Sequence, residues 1–181
     1  MQYFYNLEAS SLGTFGLIWE EKNNQPKVIK IFLPENKNNL LSKIKKGYPS
    51  VIKSNSLNEF ILEIKRFLSG ENIKFNLELL DFDICTNFEK KVLIADFNIP
   101  RGYVSTYSRI AKSTGVPKGA RAVGNVLADN PFPLVIPCHR VVRADGSLGG
   151  FGGGFEMKKR LLENEGIVLS NGKVSPDKIY Y

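Results

Sequence analysis

Residues 106–129 read TYSRIAKSTGVPKGARAVGNVLAD. Two short helical stretches, 106–113 and 117–129, flank Thr114-Gly-Val116, and the second opens on Pro117, which suits a first helical position. A short helix, a glycine-bearing turn and a second helix resemble a helix-turn-helix, although any corner between two helices has similar spacing. The second stretch carries a more particular signal. Gly119, Ala120, Ala122, Gly124 and Ala128 surround Arg121. Small side chains permit close approach to a helix backbone, and the glycines lower helix propensity. Either a neighbouring helix makes that approach, or an external partner does, with Arg121 as the one long projection.

Charge separates these two options. The net charge is +7, and residues 98–160 hold Arg101, Arg109, Lys112, Lys118, Arg121, Arg140, Arg143, Lys158, Lys159 and Arg160 against Asp129, Asp145 and Glu156. The rest of the chain holds fifteen charges of each sign, so the whole excess lies around the helix pair. A local basic field attracts polyanions, nucleic acid first among them.

With 181 residues, 43% of them hydrophobic, the chain is long enough to bury a core in one large domain or two small ones. The pattern predicts a mixed α/β protein of the α+β kind: a β-rich N-terminal domain with one helix over 1–84, and a mainly helical domain over 85–181. In the first, Phe15–Glu20 and Lys27–Leu33 are apolar runs joined by polar Lys22-Asn-Asn-Gln25, as in a hairpin. Residues 36–55 are Lys/Asn-rich and read as an irregular connection. Ser56 and Glu59 form a capping-box pattern before Phe60, Ile61, Ile64, Phe67 and Leu68, with Gly70 as the stop. Ile73, Phe75, Leu77 and Leu79 alternate with polar residues, as in a half-buried strand. In the second domain, Thr86 and Glu89 repeat the capping box, and a last helix is expected over 156–165, ending at Gly166. The loop 146–154, GSLGGFGGG, lacks the lysine ending of a P-loop, which argues against a nucleotide fold.

Two cysteines far apart and a single histidine cannot furnish the clustered ligands of an ordinary zinc site, so no metal and no cofactor are expected. The same cysteine usage, with no secretory leader and no apolar run of about 18 residues, suggests a cytoplasmic protein off the membrane. Cys85 is expected in a buried apolar position.

The only histidine, His139, stands beside Cys138 in Pro133-Leu-Val-Ile-Pro-Cys-His-Arg-Val-Val142. A thiol near its ordinary pKa is mostly protonated at neutral pH, and a neighbouring base or a positive field raises the reactive thiolate fraction. Adjacent residues on an extended strand point to opposite faces, so the pair needs a turn at Pro137–Cys138 or a bridging water. An acid should orient the imidazole, and Glu156, Glu163 and Glu165 are all within range.

Ile136-Pro-Cys-His-Arg-Val-Val142 resembles the active-site signature of the O6-alkylguanine-DNA alkyltransferases, direct-reversal DNA repair proteins. The resemblance extends through Tyr107-Ser-Arg-Ile-Ala111, Arg121-Ala-Val-Gly124, Asn130-Pro131 and Leu161-Leu-Glu-Asn-Glu-Gly166, covering roughly residues 88–168. It implies a single-turnover methyltransferase that moves the alkyl group of O6-alkylguanine in double-stranded DNA onto Cys138 after base flipping, with O4-alkylthymine as a further candidate substrate. By the same resemblance His139 activates Cys138 through a water, Glu165 holds the other imidazole nitrogen, and Asn130 braces the cysteine turn. Tyr107 helps rotate the nucleotide and donates to the guanine. Arg121 takes the place of the flipped base, Ala120, Ala122 and Gly124 allow close approach, and Ser108 and Lys118 meet the backbone. The implied protein is a monomer with no obligate protein partner. In the loop after the cysteine, Phe151 and Gly152 replace the Tyr and Ser common in the family, which bears on the alkyl groups accepted.

Two rival readings are a DNA-binding module without chemistry, against which Cys138 argues, and a Cys-His-Glu hydrolase, which does not account for the arginine-bearing helix.

Overall fold

The computed structural model describes residues 2–180. The chain divides into two compact units: one runs up to Ile84 and includes Pro131–Pro133, and the other comprises Cys85–Asn130 and the residues from Leu134 onward.

In the first unit, β1 (Tyr3–Ser10), β2 (Gly13–Lys22) and β3 (Gln25–Glu35) form an antiparallel meander, and short β4 (Ile52–Lys53) adds parallel to β1, giving the order β3-β2-β1-β4. The β2–β3 turn uses Asn23 and Asn24, both at positive φ (54° and 60°), the handedness that matches strand twist in a two-residue hairpin. The expected hairpin is therefore present, although β1 was not apparent from the sequence.

Three expectations for this unit fail, each for a local reason. Residues 36–55 are not irregular, because α1 (Lys37–Gly47) occupies much of them. The Asn36 side chain accepts from the Asn38 and Asn39 backbone N–H groups, and Leu40 and Ile44, one turn apart, bury against Ile18. Next, α2 (Asn58–Leu68) buries the five apolar residues anticipated, but Leu57 is its N-cap and no side chain caps it. The Ser56 backbone N–H instead donates to Ser54 Oγ, within a local turn that displaces the capping box. Finally, 73–79 is not a strand. Phe75 is buried with its ring against Phe60 and Phe67, while Leu77–Leu79 forms a 3₁₀ turn capped by Asn76.

The second unit starts with α3 (Asn87–Phe97). Its capping box forms as expected: Glu89 N–H donates to Thr86 Oγ1, and Thr86 N–H donates to Glu89 Oε2. Cys85, just before it, is half-buried rather than buried, next to exposed Ile84 and Thr86. Two-residue β5 (Ser105–Thr106) leads into α4 (Tyr107–Ser113), whose N-cap Thr106 accepts from Arg109 N–H. At its other end, Gly115 takes φ +83°, Val116 N–H donates to Ala111 O, and Gly115 N–H donates to Lys112 O. These two bonds with a left-handed glycine make a Schellman stop. The next helix, α5 (Ala120–Ala128), begins later than Pro117, because Val116–Gly119 closes a β-turn by donation from Gly119 N–H to Val116 O. Val123 and Leu127 turn inward, whereas Arg121 and Ala122 are exposed.

After Leu134, the chain reaches β6 (Val141–Val142), which pairs in parallel with β5. This pairing brings the start of α4 to the strand that follows Cys138. Last comes α6 (Gly154–Asn164), beginning two residues before the expected start. It ends on a second Schellman stop, with Gly166 at φ +83°, Ile167 N–H donating to Leu162 O and Gly166 N–H to Glu163 O. Val104, Val142, Leu148, Leu162, Ile167 and Val174 pack as one core cluster of the unit. Among the described residues, no helix is long and apolar enough to cross a membrane.

Candidate active site

Cys138 opens a 3₁₀ turn, Cys138–Arg140, so the geometric objection to an adjacent Cys-His pair is met by a turn at the expected position. Asn130 Nδ2 donates to Ile136 O at 3.1 Å, fixing the approach to that turn, and its side chain also hydrogen-bonds the thiol.

Among the three acids left open by spacing, Glu165 is the one that reaches the imidazole. As C-cap of α6 it is buried, with Oε1 2.9 Å from His139 Nε2. Both its oxygens also accept from Arg140, at 2.8 Å from Nε and 2.9 Å from the second terminal nitrogen, and Arg140 in turn donates to Ile99 O at 2.7 Å. This fork-shaped pairing has the geometry that suits a guanidinium to a carboxylate. Burial would raise the Glu165 carboxyl, but His139 and Arg140 hold it down at about 2. Burial also lowers His139, against the pull of Glu165, so the resting imidazole is neutral.

The sulfur is not a resting thiolate. Cys138 is 8% exposed, and burial, reinforced by nearby Asp96, pushes the thiol up to about 12 against the Asn130 hydrogen bond and the Lys158 charge. The basic segment does not hold the sulfur as an anion, because desolvation outweighs those partners.

Cys138 lines a cavity of about 400 Å³ with Tyr107, Gly124, Leu127, Ala128 and the Gly150–Gly152 loop. That is within the range of small-ligand pockets. Two glycines shape it around Tyr107. A Cβ on Gly149, which has φ +69°, would meet the Tyr107 hydroxyl at 3.1 Å, and one on Gly124 would touch its ring at 3.8 Å. Phe151 packs edge-on to His139, with ring centroids 6.4 Å apart. A larger groove of about 1000 Å³ between α3 and α4 contains no cysteine or histidine, so volume alone does not select the reactive site.

The remaining residues singled out by sequence lie outside the cavity. Ser108, Lys118, Arg121 and Ala122 are exposed and Ala120 is half-exposed. Among the described residues no group of three or more His, Cys, Asp or Glu could hold a metal ion.

Three residues of this site were not recognised in the sequence. By sequence, Arg140 and Lys158 stand only as part of a basic field. Lys158 is 0% exposed, and its ammonium donates to Val141 O, Leu148 O and Gly150 O, tying down the loop after the cysteine. Asp96 is 0% exposed on α3. Helical spacing held the signal: Asp96 follows Val92 by four, and Lys158 precedes Leu161 and Leu162 by three and four, so both occupy the apolar side of their helices.

A mixed fold in which a helix-turn-helix adjoins a cavity lined by a buried Cys, next in sequence to a buried His paired with a buried Glu, defines a narrow class of protein. The family profile described as "6-O-methylguanine DNA methyltransferase, DNA binding domain" matches residues 87–167. A methylated-DNA--protein-cysteine methyltransferase of Methanothermobacter thermautotrophicus is 46% identical over 114 residues, 63% of this chain and 64% of that protein. One from Mycobacterium leprae is 41% identical over 108 residues, 59% of this chain and 64% of that protein. The matched region thus spans less than two thirds of these relatives' length. The crystal structure of O6-methylguanine-DNA methyltransferase from Pyrococcus kodakaraensis matches with a TM-score of 0.67 and 30% identity, covering 92% of this chain and all of that one (100%). A Mycobacterium tuberculosis relative in complex with DNA matches with a TM-score of 0.71 and 29% identity, over 90% of this chain and 92% of that one. The chain belongs to the O6-methylguanine-DNA methyltransferase family.

Proposed function

We propose that this protein repairs DNA directly, taking the alkyl group of O6-alkylguanine in double-stranded DNA onto Cys138 once and irreversibly, in the cytoplasm and without a cofactor. The observation that carries the reading is Cys138 in a cavity shared with Tyr107, beside an imidazole whose far nitrogen is engaged by a buried carboxylate. With Nε2 directed at Glu165, Nδ1 is the nitrogen that takes the thiol proton through a water. Because the resting sulfur is a thiol, that transfer accompanies reaction: Sγ forms its bond to the alkyl carbon as the carbon–O6 bond breaks. The departing electron pair is neutralised by protonation of the guanine ring, assisted by the Tyr107 hydroxyl. The product thioether offers no carbonyl for water to attack, so the protein is consumed.

A base inside a duplex is shielded from such displacement, and extruding it costs on the order of a few kcal/mol. Arg121, exposed on α5 beside Ala120, Ala122 and Gly124, has the reach to fill the vacated stack, and the small neighbours let the helix approach the groove. Exposed Ser108 and Lys118 are proposed to contact the phosphates.

Intact-protein mass after incubation with duplex DNA containing O6-methylguanine tests the reading. One methyl group is expected on Cys138, with product never exceeding protein; turnover beyond one equivalent points to a hydrolase instead. Arg121→Ala is expected to slow repair of the duplex about tenfold or more while sparing the free base O6-methylguanine. Equal losses on both substrates would remove Arg121 from the role of base replacement.

A further inference from the structure

Several cations of the basic segment are engaged within the protein. Arg101 donates to Asn164 O, Arg109 to Ile179 O and Tyr180 O, Arg140 to Glu165, and Lys158 to three carbonyls. Arg143 differs from these: it is exposed, and among the described residues its guanidinium makes no hydrogen bond or ion pair. Asp145, two residues on, does not neutralise it, because that carboxylate accepts from Ser147 and pairs with Lys173 at 3.1 Å.

The fold sets this uncommitted cation beside Tyr107. β5 and β6 run parallel with Ser105 opposite Val141 and Thr106 opposite Val142, so the next residues, Tyr107 and Arg143, leave the two strands side by side. The point that a Cβ on Gly149 would occupy is 3.1 Å from the Tyr107 hydroxyl and 3.5 Å from Arg143 Cγ. The opposite edge of the same ring faces Gly124 of α5, one turn beyond Arg121. Helix α5 and Arg143 therefore flank Tyr107 at the cavity that Cys138 lines. Backbone bonds fix the position: Arg143 N–H donates to Ser147 O, and Arg143 O accepts from Gly146 N–H. Burial raises the Tyr107 phenol most, and the Arg143 charge works against it, as a cation this close should.

We propose that Arg143 is a DNA-contact residue that grips a phosphate flanking the extruded nucleotide, on the side of Tyr107 away from α5. The inference rests on the reading of the cavity as the place that receives the flipped O6-alkylguanine. A base inside the cavity leaves its sugar and its two flanking phosphates at the rim, where they meet either protein donors or water. Arg121 is spent in the vacated stack, and Ser108 carries no charge. The planar guanidinium fork of Arg143 suits two phosphate oxygens, and it breaks no internal bond to bind them.

Uncharged backbone analogues test it. Binding of a labelled duplex containing O6-methylguanine is followed by fluorescence anisotropy in Cys138→Ala, from which no methyl group can be taken, with and without Arg143→Gln. Each protein also meets duplexes with a neutral methylphosphonate at one or the other phosphate flanking the lesion. Arg143→Gln is expected to weaken binding of the ordinary duplex about tenfold and to make the slope of log K against log salt shallower by about 1. At one of the two positions the methylphosphonate should weaken the arginine protein by a similar factor and leave the glutamine protein unaffected. Losses that multiply independently at both positions, or an unchanged salt slope, overturn the proposal. Arg143→Lys must restore the slope while recovering only part of the affinity, since it returns the charge without the fork, and a slope that stays shallow also overturns it. With Cys138 present, the same comparison is read in the duplex concentration that half-saturates methyl transfer, so neither background decides alone. The free base O6-methylguanine has no phosphate to lose, and Arg143→Gln must react with it as fast as the unsubstituted protein; a slower reaction would mean a damaged cavity and sink the assignment. If the methylphosphonate coupling appears while Cys138 takes no methyl group from duplex DNA, the alkyltransferase reading fails and the Arg143 contact stands. Methyl transfer without the coupling does the reverse.

Discussion

Cys138→Ala is expected to take up no methyl group from O6-methylguanine DNA while still binding the duplex. Neither Tyr107 in the cavity nor the adjoining His139 can replace the sulfur. His139 is held by Glu165 through one nitrogen, and burial raises the Tyr107 phenol, leaving it a poorer source of anion than an exposed tyrosine. The substitution itself is mild, because removing one buried sulfur costs about 1 kcal/mol of packing. It also removes a thiol that burial and Asp96 make costly to ionise, so nothing charged is left without a partner. Arg121, Lys118 and Ser108 lie on the surface, outside the cavity, and remain available for binding. Intact mass and fluorescence anisotropy with labelled duplex separate the two functions. A methyl group appearing on the variant would place the acceptor elsewhere and end the account of Cys138.

What could be read in the sequence depended on how local the determining physics was. The Asn23-Asn24 turn and the Thr86/Glu89 capping box are set by a few neighbouring residues, and both appear where the sequence places them. The glycine stops at Gly115 and Gly166 are local in the same sense. Helix α1 escaped notice because its surface is Lys and Asn, and its two buried anchors, Leu40 and Ile44, make sense only once β2 supplies Ile18. The Ile73–Leu79 alternation misled for the opposite reason: a strand pattern is meaningful only with a partner strand, and Phe75 found aromatic rings instead. At the site, the motif around Cys138 was legible, whereas the division of the basic residues was not. Formal charge says nothing of burial, and Lys158 and Arg140 serve interior carbonyls and a carboxylate rather than solvent. Buried charges of this kind show in a sequence chiefly where they interrupt an apolar helix face.

Glu165→Gln is expected to lower the methyl-transfer rate about a hundredfold or more and to destabilise the fold by about 3 kcal/mol at neutral pH. The carboxylate performs two tasks that an amide cannot combine. Its two oxygens accept from both sides, from His139 and from the Arg140 fork, whereas glutamine offers one oxygen and one NH₂, so a donor must face a donor on one side. Arg140 loses its counter-charge in a largely buried place whichever way the amide faces, and where the NH₂ faces His139 the imidazole also loses the acceptor that keeps Nδ1 as the base. The pH dependence carries a definite sign. Burial works to raise the Glu165 carboxyl, but His139 and Arg140 depress it from 4.5 to about 2. Its contribution to stability is therefore complete above about pH 4.5 and is lost as pH falls toward 2. The glutamine side chain has no such dependence. Urea denaturation should accordingly show a wide stability gap between the two proteins at about pH 7, narrowing by about half or more at about pH 3. A gap of constant size across that interval would mean that Glu165 supports the fold by shape rather than by charge, and the assignment of His139 as the base would lose its electrostatic foundation.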